Sequence, residues 1–259
     1  MKKAFNIIWI VSAFLAVFYS CSKDKDDSGK LLKQLVEVSA DGTSETTDFS
    51  YNGNEIKSID GTKQRTEFSY MDGLITKVIV LDKATAVSST IEYSYLRGQL
   101  LSAKSLNNYI INYTPNSDGS IAYEKLDLKA GNQDVKICHG ILYFKNKNLI
   151  KDARTFDSAP SGVTLTYSIS FEYDSKNNPF HSVLGYEKLL DQNDIISANN
   201  SLISVVTNTS AKNDQITSSA NFYKSTFKYD EDGYPTEKIS ESAMPVEGNS
   251  DYVKSQYFY

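Results

Sequence analysis

The chain has 259 residues, with 27 Lys and Arg against 32 Asp and Glu for a net charge of −5, and 40% of it is apolar. A mildly acidic balance offers no basic face for nucleic acid, so no nucleic-acid partner is expected. The length suits one large β domain or two small ones with ample core, and 18 Tyr and 12 Phe suit pleated, half-buried surfaces.

Lys2 and Lys3 open the chain, Phe5 to Tyr19 is almost wholly apolar, and small Ser20 directly precedes Cys21. These are the three regions of a secretory signal in order, and the apolar stretch falls short of the roughly 20 residues a spanning helix needs. A cysteine just after the small residue resembles the lipobox of bacterial lipoproteins. That resemblance implies that residues 1–20 are removed and that Cys21 is acylated and becomes the N-terminus. Cys138 is then unpaired, so no disulfide framework exists, and it reads as a buried small hydrophobe. Residues 21–30 carry Lys23, Asp24, Lys25, Asp26 and Asp27 and no apolar residue between Ser22 and Gly29, the composition of a solvated tether. Acidic residues right after an acylated cysteine resemble the surface-export signal of Bacteroidetes lipoproteins; a linker acidic by chance is the plain alternative.

Downstream, one unit recurs. Phe49-Ser50-Tyr51 is followed by Gly53, Ile56 and Ile59, Phe68-Ser69-Tyr70 by Asp72-Gly73, Ile75 and Val78, and Tyr93-Ser94-Tyr95 by Gly98, Leu100 and Leu101. Ile111-Asn112-Tyr113 leads to Asp118-Gly119 and Tyr123, Phe171-Glu172-Tyr173 to Asn177-Asn178, and Phe227-Lys228-Tyr229 to Asp232-Gly233 and Ile239. Leu142-Tyr143, without a glycine, and the terminal Tyr257-Phe258-Tyr259 are weaker copies. Alternating aromatics set their rings on one face of a strand and Ser, Glu or Lys on the other. The Asp-Gly pair supplies the positive φ of a tight hairpin turn. Hairpins in series make an antiparallel meander, so residues 31–259 read as a single all-β domain, a strongly twisted sheet or partly closed barrel. The wide gap between Tyr173 and Tyr229 places a degenerate unit plus an insertion around 180–210, and 154–162 has loop composition.

Asn178-Pro179 has the character of an N-cap and first helical position. Phe180, Val183, Leu184 and Leu189 then recur at helical spacing, so a short helix is expected over 180–190, where it could plug an open end of the sheet. Taken with the lipobox, the Tyr-to-Gly hairpins and the block Tyr173-Asp174-Ser175-Lys176-Asn177-Asn178-Pro179-Phe180, with Asn199-Asn200 downstream, resemble the uncharacterised Bacteroidetes lipoproteins described as a domain of unknown function with a porin-like fold. The likeness covers nearly all of the mature chain. More distantly, the hairpins resemble the Tyr-Asp repeats of bacterial shell-forming toxins. The resemblance brings no functional residue with it.

Alternation alone does not separate a soluble barrel from a transmembrane one, and the closing Gln256-Tyr257-Phe258-Tyr259 resembles the aromatic C-terminus of outer-membrane barrels. The alternating runs, about six residues, are shorter than the roughly 9–11 of a spanning strand, and an acyl anchor on an integral barrel is redundant; a soluble sheet or barrel is expected. The sequence holds no His-x-x-x-His, Cys-x-x-Cys, Gly-x-Ser-x-Gly or phosphate-cradling glycine loop. His139 follows Cys138 and faces the opposite way in a strand, and His181 falls at the surface of the expected helix start. Asp230-Glu231-Asp232 lacks EF-hand spacing and reads as turn chemistry. No catalytic, metal or cofactor site is expected. The reading is a non-enzymatic lipoprotein, anchored at Cys21 in the outer membrane and exposed at the surface. Its partners are the membrane and a glycan or envelope protein, and its aromatic face serves as stacking surface or simply as core. A periplasmic carrier or chaperone for lipid is the alternative, and a hydrolase a weaker one.

Overall fold

Alternating runs become strands throughout the computed structural model, which describes residues 29–106, 108–128, 135–192, 196–242 and 252–259. The leader, Cys21 and the tether to residue 28 lie outside the described residues. The strands are β1 (Gln34–Ser39), β2 (Ser44–Asn52), β3 (Glu55–Asp60), β4 (Gln64–Met71), β5 (Leu74–Asp82), β6 (Ser88–Leu96), β7 (Gln99–Ser105) and β8 (Tyr109–Pro115). They continue with β9 (Ile121–Asp127), β10 (Val135–Lys145), β11 (Asn148–Phe156), β12 (Val163–Asn177), β13 (Asn199–Lys212), β14 (Gln215–Tyr229), β15 (Pro235–Ser242) and β16 (Tyr252–Phe258). Each pairs antiparallel with its sequence neighbours, and β1 pairs with β16, so these sixteen strands close into one barrel. The all-β meander read from the repeats is therefore observed, and it closes completely. Leu35 opposite Tyr257 and Glu37 opposite Ser255 make the seam, which leaves no open sheet edge there.

The turns after β2, β4, β6, β8, β10 and β14 share one rim with Gly29 and the C-terminus. Asp72 and Gly73 take φ of 51 and 74°, and Arg97 and Gly98 take 51 and 76°, the left-handed pair that a two-residue hairpin turn needs. The unit without glycine turns the same way, with Asn146 and Lys147 at 51 and 63°. Beside these turns the register shifts by one residue, between Ser50 and Tyr51, Ser69 and Tyr70, Ser94 and Tyr95, Tyr143 and Phe144, and Lys228 and Tyr229. A bulge of this kind re-aims a side chain. Tyr51 Oη donates to Leu32 O at 2.8 Å, Tyr95 Oη to Ile75 O at 2.8 Å and Tyr173 Oη to Leu149 O at 2.7 Å. In these three units the repeated tyrosine thus ties its hairpin to the backbone of a neighbouring strand or its flank. In the copy on β10 the inward pair is Leu142 and Phe144, both packed in the core. Tyr143 is 36% exposed, which corrects the pairing Leu142-Tyr143 read from sequence.

Sixteen strands enclose more space than wall side chains alone can fill, and residues 178–192 and 196–198 fill one end of it. Asn178 N donates to Ala198 O at 3.0 Å and closes the neck of this plug. Val183, Tyr186, Leu189, Leu190 and Ile196 are buried against Phe49, Ile56, Ile75 and Tyr93 of the wall. Tyr186 stacks on Phe180 with ring centres 4.8 Å apart, and Phe180 meets Phe49 edge-on at 5.7 Å. The expected plug is present, but the helix over 180–190 shrinks to a single 3-10 turn, Tyr186–Lys188. Asn178 does cap, its Oδ1 accepting from Phe180 N at 2.8 Å. Leu184 N, however, bonds Asn54 O of the wall, and Gly185 turns left-handed at φ 72°, which a continuing α-helix cannot accommodate. A Cβ at 185 would sit 2.9 Å from Gly73 O, so this close approach of plug to wall requires glycine at 185.

Two other expectations change. β12 and β14 run to fifteen residues, beyond the six-residue runs, because Ser and Thr continue their alternation without a hydrophobic signal. Arg154–Phe156 belong to β11, so only 157–162 of the expected loop 154–162 is loop.

Candidate functional site

Inside the barrel the packing loosens with distance from the plug. Tyr223 and Val253 face inward by register yet are 45% and 36% exposed, so the lumen is open to solvent toward the far rim. Between plug and open lumen lies a cavity of about 150 Å³. Leu190 and Asp191 of the plug form its floor, and β8 to β11 form its wall. Tyr109, Ile111 and Tyr113 come from β8, Tyr123 and Lys125 from β9, Cys138 and Leu142 from β10, and Asp152 and Arg154 from β11, all on the inward phase of their strands. Gly140 sits in that phase between Cys138 and Leu142. A Cβ there would lie 2.7 Å from the Tyr123 hydroxyl and 2.6 Å from Ala153 O, so glycine gives the Tyr123 ring its place.

The polar groups fall into a satisfied pair and an unsatisfied set. Asp152, 1% exposed, accepts from Tyr123 Oη at 2.8 Å and is ion-paired with Arg154 Nη2; a carboxylate that deep needs such partners. The Arg154 guanidinium lies over the Tyr167 ring at 4.7 Å. Its side chain is 28% exposed and sits farther along β11 from the plugged rim than Asp152, so the cavity opens toward the far rim. Asp191 Oδ2 accepts from Tyr93 Oη at 3.0 Å, but Asp191 Oδ1 and Arg154 Nε are buried without a hydrogen-bond partner among the described residues. Burial pushes the Asp191 carboxyl above its ordinary value, and the bond from Tyr93 draws it part of the way back. Lys125 Nζ lies 4.0 Å from the centre of the Tyr109 ring, a cation–π contact. The residues lining the cavity therefore include a carboxylate with a buried unmet acceptor, a guanidinium with a buried unmet donor and a cation beside tyrosine rings, a polar lining that suits a small polar molecule better than an apolar one.

Burial pushes the Cys138 thiol up, and the residue is free and buried, the packing role expected of it. His139 points outward, with Nδ1 2.8 Å from Asp157 Oδ2, and His181 is exposed. Asp230 and Asp232 each hold Lys30 Nζ at 2.8 Å, and Asp230 Oδ1 accepts the turn amides of Asp232 and Tyr234. Sequence reasoning singled out none of Lys125, Asp152, Arg154 and Asp191 as site residues. Lys125 lies two residues after inward Tyr123 and Arg154 two after Asp152; that signal is readable once the phase of the strand is fixed.

The outer wall is charged. Lys77, Glu92 and Lys104 lie opposite one another across β5, β6 and β7. Across β14, β15 and β16, Glu237 takes Lys228 at 2.7 Å and Lys254 at 2.8 Å, and the two ammoniums hold its carboxyl below its ordinary value. Arg65 reaches Asp60 and Glu67, and Lys136 reaches Glu124.

No family model matches this chain, and no curated protein matches it in sequence. Solved structures do match. A porin-like protein from Bacteroides uniformis is similar over 88% of this chain and 97% of its own, at 10% identity and a TM-score of 0.50. A porin-like protein from Bacteroides vulgatus aligns over 89% and 99%, at 10% identity and a TM-score of 0.45. At such identity the first likeness is one of fold alone: a porin-like barrel.

Proposed function

We propose that this chain is a non-enzymatic, lipid-anchored receptacle at the cell surface, tethered through Cys21 to the outer membrane and binding a ligand inside its barrel. The observation that carries the reading is the place where the chain enters. Lys30 is clamped by Asp230 and Asp232, Leu32 is fully buried, and both lie at the plugged rim. Residues 22–29 reach at most roughly 30 Å when fully extended. An acyl group on Cys21 then holds the plugged end toward the membrane and turns the open lumen away from it, where a glycan or envelope protein would meet it. The charged outer wall supports a barrel standing beside the bilayer, since each Lys or Arg facing lipid at mid-depth costs about 2–4 kcal/mol. A lipid carrier needs an apolar tunnel, and the carboxylates and cations lining this cavity favour a polar ligand instead.

The test is Cys21→Ser together with single cysteines at Ser158, on the open rim, and Asn52, on the plugged rim. Loss of acyl labelling and release from the membrane on Cys21→Ser is expected, with a membrane-impermeant maleimide reaching position 158 faster than 52 on intact cells. Membrane retention of Cys21→Ser, or reversed labelling, overturns the reading.

A further inference from the structure

We propose that the cavity above the plug binds one neutral sugar ring of hexose size, an inference that rests on the barrel being a ligand receptacle. A void of about 150 Å³ is of the size that takes one six-membered ring. Its charged groups balance, Lys125 and Arg154 against Asp152 and Asp191, so the occupant it suits is neutral. The residues that line it carry unmet groups of both kinds: the Asp191 carboxylate holds a buried, unpaired acceptor in Oδ1 and the Arg154 guanidinium a buried, unpaired donor in Nε, and the Lys125 ammonium adds a further donor. A hydroxyl group is donor and acceptor at once, and neighbouring hydroxyls on one ring meet both kinds. Tyr113 and Tyr123, with ring centres 6.3 Å apart and planes tilted by 47°, give the C–H face of a sugar an aromatic wall. An acyl chain leaves all of these polar atoms unpaired. A zwitterion asks for two separated, unopposed charges, and the guanidinium of Arg154 is already matched by Asp152. Because the cavity opens on the side of Arg154, away from the membrane-tethered rim, the terminal residue of a longer glycan can enter the same way.

Isothermal titration of the full chain in detergent micelles tests this, using glucose, galactose, mannose and N-acetylglucosamine beside glycine, alanine and glutamate. One of the sugars should bind, and Lys125→Met and Asp191→Asn should each weaken it by about tenfold while both variants keep a cooperative melt. As a readout that needs no variant, the bound sugar should slow alkylation of Cys138, followed by mass on the Cys138 peptide, because that thiol lines the cavity. Sugar binding that neither variant weakens, or that leaves Cys138 alkylation unchanged, overturns the site. An amino acid binding where no sugar does overturns the ligand class and leaves the receptacle reading standing. No heat from any compound overturns both.

Discussion

Tyr95 contributes twice, through a ring packed against the core and a hydroxyl bonded to Ile75 O. Tyr95→Phe keeps the ring and removes the bond, so a loss of about 1 kcal/mol is expected from the denaturant midpoint. Tyr51→Phe should behave likewise, Tyr173→Phe should lose more because its hydroxyl also accepts from Ser197 Oγ at 2.9 Å, and Tyr143→Phe, on the outer face, should leave the midpoint unchanged. The hydroxyl role was not legible in the sequence: alternation marks where a ring points, but the partner carbonyl lies 20 residues away along the chain. Asp191 shows the opposite balance. Its folded-state pKa is raised, first by burial, so the folded chain keeps this proton to higher pH than the unfolded chain does. Its contribution is therefore fully present below the unfolded value and is lost as pH rises through the folded one. Asp191→Asn keeps an oxygen for Tyr93 and cannot ionise. Urea midpoints measured across pH should rise for the variant at neutral pH and lose the part of the decline that begins above the ordinary carboxylate range; a variant less stable than the parent at pH 7 contradicts this.

Among elements, the hairpins were the most readable and the plug the least. Tyr-to-Gly units gave strand phase and turn position because a two-residue turn demands left-handed backbone, and few residues adopt it readily. Asn146 and Lys147 adopt it as well, so the missing glycine near Tyr143 weakened the signal without weakening the turn. The plug misled because apolar spacing at 180–190 records which residues are buried, and a loop wedged in a barrel is buried on several sides, as Val183, Tyr186, Leu189 and Leu190 are. What decides its shape is a contact distant in sequence, the approach of Gly185 to Gly73 O. Gly185→Ala combines a left-handed backbone with that collision. A loss on the order of 1–3 kcal/mol is expected, with amide exchange quickening over 183–190 while β9 and β10 keep their protection. Equal quickening in wall and plug shows that the plug is not a separable element.

For the whole molecule, closure and the character of the wall are separate questions, and the sequence spoke to them unequally. Closure depends on β1 meeting β16 across the full length of the chain, and only the terminal aromatics hinted at it; Tyr257 now lies opposite Leu35 at the seam. Short alternating runs predict strands too short to span, and half of the sixteen strands overturn that: β2, β5, β6 and β11 have nine residues, β10 eleven, β13 fourteen, and β12 and β14 fifteen, against the roughly 9–11 a spanning strand needs. Charge supplies a stronger argument. The ladder Lys77, Glu92, Lys104 and the triad Lys228, Glu237, Lys254 lie on opposite stretches of the chain but on the same outer face, so no face of the barrel containing either ladder suits hydrocarbon. In water the same groups are solvated and cross-strand pairs of opposite sign are mildly favourable. Residues 29–259, expressed without leader or tether, should therefore remain in solution without detergent and sediment as a folded species with a β-type circular dichroism spectrum. The same protein added to preformed vesicles should stay in the supernatant when the vesicles float. Aggregation relieved only by detergent, or co-flotation with vesicles, marks a wall made for lipid and refutes a barrel that stands beside the membrane.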